Sequence, residues 1–313
     1  MNQNLTSESK RIAVVFPVHN RRELTLQCLR SLARVESKGL ELFVVLVDDG
    51  STDGTSEAVL KEFPDTNIVK GDGNLWYTAG INRGIEKALE IGVDFVLTIN
   101  DDEIFDDKFL RLMLDTAVSN PRSIVGAALL LWDQPHRVFQ VAPEWGIRWG
   151  GFRHWVQQTV WTLPSQPFEV DLIVGNCVLF PIEAIRECGL MNESLFKHYG
   201  DAEYTPRMKR AGWRLLIEPR ARVFCQPNAI PPRIRRMGTI ELLRSVLVDP
   251  ESPHSLRRRV NAAVHGGPGT IQGFVAVAVF FVRLALGKNL EGTYAQKVVE
   301  PQLKVRYRDR TIG

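Results

Sequence analysis

The stretch Leu42–Thr55, LFVVLVDDGSTDGT, restricts the fold of this chain more than any other segment. Phe43 to Val47 is an unbroken apolar block rich in valine, which suits a strand buried on both faces of a parallel sheet. Asp48 and Asp49 close that strand, and Gly50, Ser51, Thr52, Asp53 and Gly54 supply turn and capping chemistry behind it. Ligands of open α/β sheets bind at the carboxyl ends of strands. The segment therefore admits two readings: a nucleotide site, or an ordinary strand-to-helix turn in which Asp53 caps a helix starting near Thr55.

The flanking sequence extends the pattern. Ile12–Phe16 reads as a first strand that turns out through Pro17, Val18, His19, Asn20 and Arg21, and a helix over about 23–34 places Leu24, Cys28, Leu29 and Leu32 on one face. Leu42–Val47 is the second strand, Ser56–Phe63 a helix, and Ile68 with Val69 a short third strand. This order predicts right-handed parallel βαβ units. Gly71, Asp72 and Gly73 open no helix in the G-x-G-x-x-G pattern, so a nicotinamide-binding reading loses its support. Leu75 to Gly80 lead into a helix over 81–91, with Trp76 and Tyr77 placed either to cover a base or sugar or to fill the core.

Phe95–Ile99 is another apolar strand, and it stops in Asn100, Asp101, Asp102 and Glu103. Two strands thus end in adjacent acids. Such acids repel one another at neutral pH, and a divalent cation bridging them to a pyrophosphate is the simplest compensation, solvated surface acids being the alternative. Hard oxygen donors without a His/Cys cluster favour Mg2+ or Mn2+ over zinc. A helix over 108–118 and a strand over 124–131 follow. The segment 132–167, with Trp145, Trp149, Trp155 and Trp161, reads as short strands and loops that either stack on a sugar acceptor or pack internally. Val170–Phe180 resumes strand character, Ile182–Cys188 is a helix ended by Gly189, and Asp201 stands where it caps the next helix. Leu215–Ile217 is a final strand.

Composition narrows the class. A hydrophobic fraction of 44% and a charged fraction of 24% are ordinary globular values and exclude wholesale disorder or a polytopic membrane protein. The net charge of +3 selects no partner, and nothing in the pattern points to nucleic acid. Cys28, Cys177, Cys188 and Cys225 form no C-x-x-C pair and read as reduced thiols; together with the polar first eleven residues, this predicts a cytoplasmic chain. Ile271–Leu286 is interrupted by Gln272, Gly273 and Arg283 and is shorter than the roughly 20 residues of a span. It reads as a buried or interfacial helix.

Taken in order, FPVHNR, VDDGSTDGT, GNLWYTAGINRGI, INDDE, VGNCVLFPIEAIRECGLMNESLF and GDAEYTPRMKRAGW resemble glycosyltransferase family 2 over roughly residues 11–227. The resemblance implies the GT-A fold, a Rossmann-like and mostly parallel sheet flanked by helices. It implies a domain over 1–229 and leaves 230–313 as a basic helical extension. It further implies an inverting transferase that uses a nucleotide-diphospho-sugar donor with Mg2+ or Mn2+. Donor contacts would come from Pro17, Asn20, Asp49, Asn74 and Asp101. Asn100 and Asp102 match the N-x-D form of the D-x-D metal motif, and Asp201 falls at the general base of the pattern E-D-x-D-x-x-x-R. Gly200 replaces the leading acid of that pattern, Glu203 its second Asp, and Arg207 matches its Arg. The chain also departs from relatives that carry a metal-ligating His after the last strand, since Cys225 and Gln226 stand there.

Family members of this type build bacterial surface polysaccharides from UDP-sugars, dTDP-rhamnose or GDP-sugars, on glycan or lipid-linked acceptors. The arginines Arg233, Arg235, Arg236, Arg244, Arg257, Arg258 and Arg259 would either dock on anionic headgroups at the inner face of the membrane, or form a solvated helix or a contact between copies. Two other classes compete. A sugar nucleotidyltransferase needs a Gly-rich phosphate loop after the first strand, which FPVHNRRE lacks. A non-catalytic sugar-binding module would use the acids for structure alone.

Overall fold

The structure is a computed structural model that describes residues 9–140, 144–153, 158–195, 197–226, 238–249, 252 and 255–286. The amino-terminal half alternates strand and helix: β1 (Lys10–Val18), α1 (Arg22–Leu32), β2 (Leu40–Asp48), α2 (Thr55–Glu62), β3 (Asn67–Lys70), α3 (Trp76–Ile91) and β4 (Phe95–Thr98). Then come β5 (Glu103–Phe105), α4 (Phe109–Ser119), β6 (Ser123–Leu131), β7 (Val138–Gln140), β8 (Glu144–Gly146), β9 (Gly151–Arg153) and β10 (Phe168–Glu169). The chain continues through β11 (Val178–Pro181), α5 (Ile182–Cys188), α6 (Asp201–Arg210), β12 (Arg214–Cys225), α7 (Thr239–Leu243), α8 (Leu256–His265) and α9 (Thr270–Ala285).

The main sheet runs β10-β12-β6-β11-β4-β1-β2-β3. β1 pairs in parallel with both β2 and β4, β3 continues the parallel set beside β2, and β11 is antiparallel between β4 and β6. Alternation along β1 explains why its apolar run is unbroken. Ile12, Val14 and Phe16 join a core with Leu26, Leu29, Phe109 and Met113 of α1 and α4, whereas Ala13 and Val15 face Ile81, Ile85, Tyr204 and Met208 of α3 and α6. Helices therefore cover both faces of the sheet, as parallel strands require.

Several elements differ from the sequence expectation, each for a visible reason. α3 starts at Trp76 and not at residue 81, because Asp49 from the end of β2 accepts the amides of Leu75 and Trp76 and caps that helix across the chain. Val170–Phe180 is not one strand: only Phe168–Glu169 and Val178–Pro181 pair in the sheet, and between them the Ile173 N–H donates to Thr205 Oγ1 while that hydroxyl donates to the Ile173 carbonyl. β12 is longer than Leu215–Ile217, since pairing with β6 resumes after a register shift between Glu218 and Arg222 that absorbs Pro219. β5 was not legible in three residues beside an acid run. The excursion 132–167 does contain the short strands β7, β8 and β9. Arg233, Arg235, Arg236 and Trp155, named above, lie outside the described residues.

Candidate functional site

Because β1 lies between β2 and β4, the turns leaving these three strands emerge along one edge. The acids on that edge do different work. Asp48 is buried; burial alone would raise its pKa, but the Lys70 ammonium 2.9 Å away, the Ser51 amide and the Ser56 hydroxyl outweigh it and hold it at about 2. It is a fixed anion that ties β2 to α2 and β3. Asp49 spends its carboxylate on backbone: Oδ1 accepts from Gly73 at 2.8 Å, and Oδ2 from Leu75 and Trp76 at 3.0 Å each. It shapes the 71–76 loop that walls the edge. Asp53 accepts from the amide of Thr55 at 3.1 Å and from that of Arg22 at 3.0 Å, so one side chain holds the starts of both α1 and α2.

Asn20 has φ +52°, a conformation Asn tolerates better than most residues. Its Oδ1 accepts from the Thr52 amide at 2.7 Å and its own N–H donates to Ser51 Oγ at 3.0 Å, which joins the β1 turn to the β2 turn. Pro17 lies at the end of β1, against Gly80 of α3. Asn74 is exposed on the 71–76 loop, where its amide donates to Asp72 Oδ1. Trp76, at φ +58° and 42% exposed, stands beside His198 at a ring separation of 4.6 Å, with Lys197 Nζ 5.5 Å from its ring centre. Trp76 is therefore an accessible aromatic surface on this edge and not a core residue.

After β4, Arg21 reaches the acid run. Its Nη2 donates to Asp102 Oδ2 at 2.9 Å and its Nε lies 3.3 Å from Asp101 Oδ2. Asp101 is buried, and burial pushes its pKa up to about 7 against the pull of Arg21. Its Oδ2 has no hydrogen-bond partner of good geometry among the described residues. Glu103, next in the run, points into the protein: it is buried, its pKa stands well above the usual carboxylate range because of that burial, and Cys225 Sγ donates to its Oε1 at 3.9 Å. Burial also drives the Cys225 thiol upward, so the residue near the family's His position is a protonated thiol turned inward.

Asp201 opens α6. Its Oδ2 accepts from the Gly175 amide at 3.1 Å, and the carbonyl of Gly175 accepts from Tyr77 Oη at 2.7 Å. Glycine is required there, since a Cβ would collide with the Tyr77 hydroxyl and approach Asp201 Cβ to 3.1 Å. Burial raises the pKa of Asp201, and the Gly175 amide, the first amides of α6 and the Arg258 charge offset that only in part. Glu203, the next carboxylate, is committed elsewhere: Arg207 binds it at 2.5 Å and also binds the carbonyl of Leu190. The register places Val178 opposite Thr98, so Gly175 and Asn176 pass beside the carboxyl end of β4 and bring Asp201 to the edge that holds Asp101 and Asp102.

Among the described residues no group of three His, Cys, Asp or Glu side chains is arranged to hold a metal. The donor set nevertheless fits a hard divalent cation, because Asp101 has a buried oxygen without a hydrogen bond beside a second carboxylate, and both are hard oxygen donors. Sequence reasoning named Arg21, Tyr77 and Arg258 but gave none of them its place beside these acids. Arg21 follows Asn20 in the first turn, but its partners lie about 80 residues away and only the fold joins them.

The fold and this edge define a class. The structure is similar to GalNAc-T7 solved with UDP, GalNAc and Mn2+ (TM-score 0.56, 12% identity, 75% of this chain and 47% of that one). It is also similar to S. aureus TarS 1-349 (TM-score 0.55, 16% identity, 93% and 77%), and these likenesses show the GT-A fold. The description of Glycosyl transferase family 2 matches residues 13–169, and the chain belongs to that family. Among curated proteins it is similar to N-acetylglucosaminyl-diphospho-decaprenol L-rhamnosyltransferase of Mycobacterium tuberculosis, at 27% identity over 204 residues, 58% of this chain and 65% of that protein. It is likewise similar to succinoglycan biosynthesis protein ExoA of Rhizobium meliloti, at 26% identity over 243 residues, 73% of this chain and 66% of that protein. The chain thus spans 65% and 66% of the lengths of these two relatives.

Proposed function

We propose that the chain transfers a sugar from a nucleotide-diphospho-sugar to a hydroxyl acceptor by a single inverting displacement, in the synthesis of a surface polysaccharide. One observation carries this reading: a desolvated, basic carboxylate at Asp201 shares a sheet edge with the Asp101–Asp102 pair. Pro17, Asn20, Asn74 and the loop clamped by Asp49 form the donor side, and Trp76 offers a face for a ring. Asp201 takes the proton of the acceptor hydroxyl while that oxygen attacks the anomeric carbon, and the bond from that carbon to the diphosphate breaks on the opposite face. Gly175 and Tyr77 hold Asp201 in place for this. Asp101 and Asp102, with Asn100 beside them, would hold Mg2+ or Mn2+, whose contribution when bound is to neutralise the leaving diphosphate. Arg21 adds a fixed positive charge at the same place.

The test is a thermal-shift panel of UDP-, dTDP-, GDP- and CMP-sugars with and without Mn2+. One nucleotide class should raise the melting temperature, by an amount that grows with the logarithm of ligand concentration over Kd. No shift with any of them would contradict the reading.

For the acceptor, the mycobacterial relative acts, by its name, on a decaprenol-diphosphate-linked sugar, and a lipid-linked saccharide is the acceptor we infer here. Among the described residues no helix is long and apolar enough to cross a membrane. α9 instead has one side packed through Ala276 and Phe280 against the 147–150 turn, while Ile271 (78% exposed), Phe274 and Val282 face outward. Such a helix suits the headgroup region at the cytoplasmic face of the membrane. Ile271→Glu combined with Phe274→Glu should reduce co-sedimentation with anionic vesicles without changing the melting temperature. Unchanged vesicle binding, with a dimer lost on light scattering, would assign the face to a second copy.

A further inference from the structure

The carboxy-terminal extension reaches the site. α8 packs against α6 closely enough that a Cβ on Gly266 would lie 2.5 Å from the Ala202 carbonyl, one residue from Asp201. Arg210 of α6 donates to the Gly267 carbonyl at 2.7 Å. From α8, Asn261 donates to the Leu195 carbonyl at 3.0 Å and Arg257 to that of Ser194 at 3.5 Å, so the helix also pins the segment leading into Asp201.

Three consecutive arginines start this helix, and they are not equivalent. Arg257 serves the Ser194 carbonyl. Arg259 lies over the Phe280 ring at 3.5 Å and holds α9 on α8. Arg258 lies over the Tyr199 ring, its Cζ 3.3 Å from the ring centre and two residues before Asp201, and its Nη1 is buried without a hydrogen-bond partner among the described residues. A buried guanidinium donor left unpaired is costly, and its planar fork is matched best by carboxylate or phosphate oxygens. Its charge acts on Asp201, yet among the described residues no ion pair joins the two. The tyrosine ring fixes this donor, which lacks an acceptor among the described residues.

We propose that Arg258 is an anion-binding residue of this site, taking a phosphate oxygen of a diphosphate held beside Asp201. The inference rests on the sugar-transfer reading and deepens it, since it makes the extension a part of the site. Two sources carry that chemistry: the leaving group of the donor and the diphosphate of a lipid-linked acceptor.

The experiment is calorimetric titration of the full chain, wild type, Arg258→Gln and Arg258→Lys, in two arms. One arm compares the nucleoside diphosphate that stabilises the wild type with its nucleoside. The other compares farnesyl diphosphate with farnesol. Arg258→Gln should lose roughly 10- to 100-fold in affinity for one of the diphosphates, the scale of a charge-assisted hydrogen bond. Affinity for the matching neutral ligand and the melting temperature should hold, and Arg258→Lys should recover part of the loss. The arm that shows the loss identifies the source. A folded Arg258→Gln protein that binds both diphosphates within two-fold of wild type would overturn the assignment alone. A wild type that binds neither diphosphate would overturn the transferase reading together with it.

Discussion

Asp201→Asn is expected to leave donor affinity and melting temperature near those of the wild type while sugar transfer falls by roughly 100-fold or more, the scale of losing a positioned general base. Asn keeps an oxygen for the Gly175 amide 3.1 Å away and still suits the start of α6, so geometry and catalysis separate in one substitution. Stability points the same way. Burial makes the folded chain hold the Asp201 proton more tightly than the unfolded chain does, so ionisation costs stability as pH rises from the ordinary carboxylate value through the raised one. Asn removes that cost, and the variant should be no less stable than wild type at neutral pH. Transfer by the wild type should rise with pH through the raised value, placing its acid limb above the ordinary aspartate value. Transfer by the Asn protein within a few-fold of wild type would reduce Asp201 to an acceptor for the Gly175 amide. Glu203 offers no easy replacement, because its carboxylate is bound by Arg207.

Asp102→Ala is expected to remove most turnover, roughly 100-fold, because it deletes a hard oxygen donor and the partner of Arg21 together. The fold should survive, since Asp102 belongs to neither hydrophobic core and its ion pair with the partly exposed Arg21 contributes less than about 1 kcal/mol. Donor titrations in Mn2+ and in EDTA give the diagnostic. The wild type should bind donor more tightly with Mn2+, and the Ala protein should bind equally in both. Full turnover of the Ala protein at saturating donor would remove Asp102 from the site.

Much of this was legible because the strands are buried on both faces. The apolar blocks around Val14 and Val45 had to be central strands, and β1 and β2 extend those blocks by two residues or so at their ends. α5 follows its expected bounds because Pro181 and Gly189 punctuate it locally. Contacts between distant residues were not legible. The start of α3 depends on a carboxylate in another turn, and the pairing of Arg21 with Asp101 and Asp102 depends on β1 lying beside β4. Asp49 stood out as an acid at a strand end, but only the fold shows its oxygens filled by three backbone amides. The extension read as a basic tail, and only packing distinguishes Arg258 from its two neighbours.

The most direct test of the central claim needs no acceptor. Purified chain with Mn2+ and the donor that stabilises it should release sugar slowly to water, and proton NMR would identify the first-formed anomer. The account predicts an anomer inverted relative to the donor and release that collapses in Asp201→Asn. A retained anomer, or release unchanged by that substitution, would contradict it.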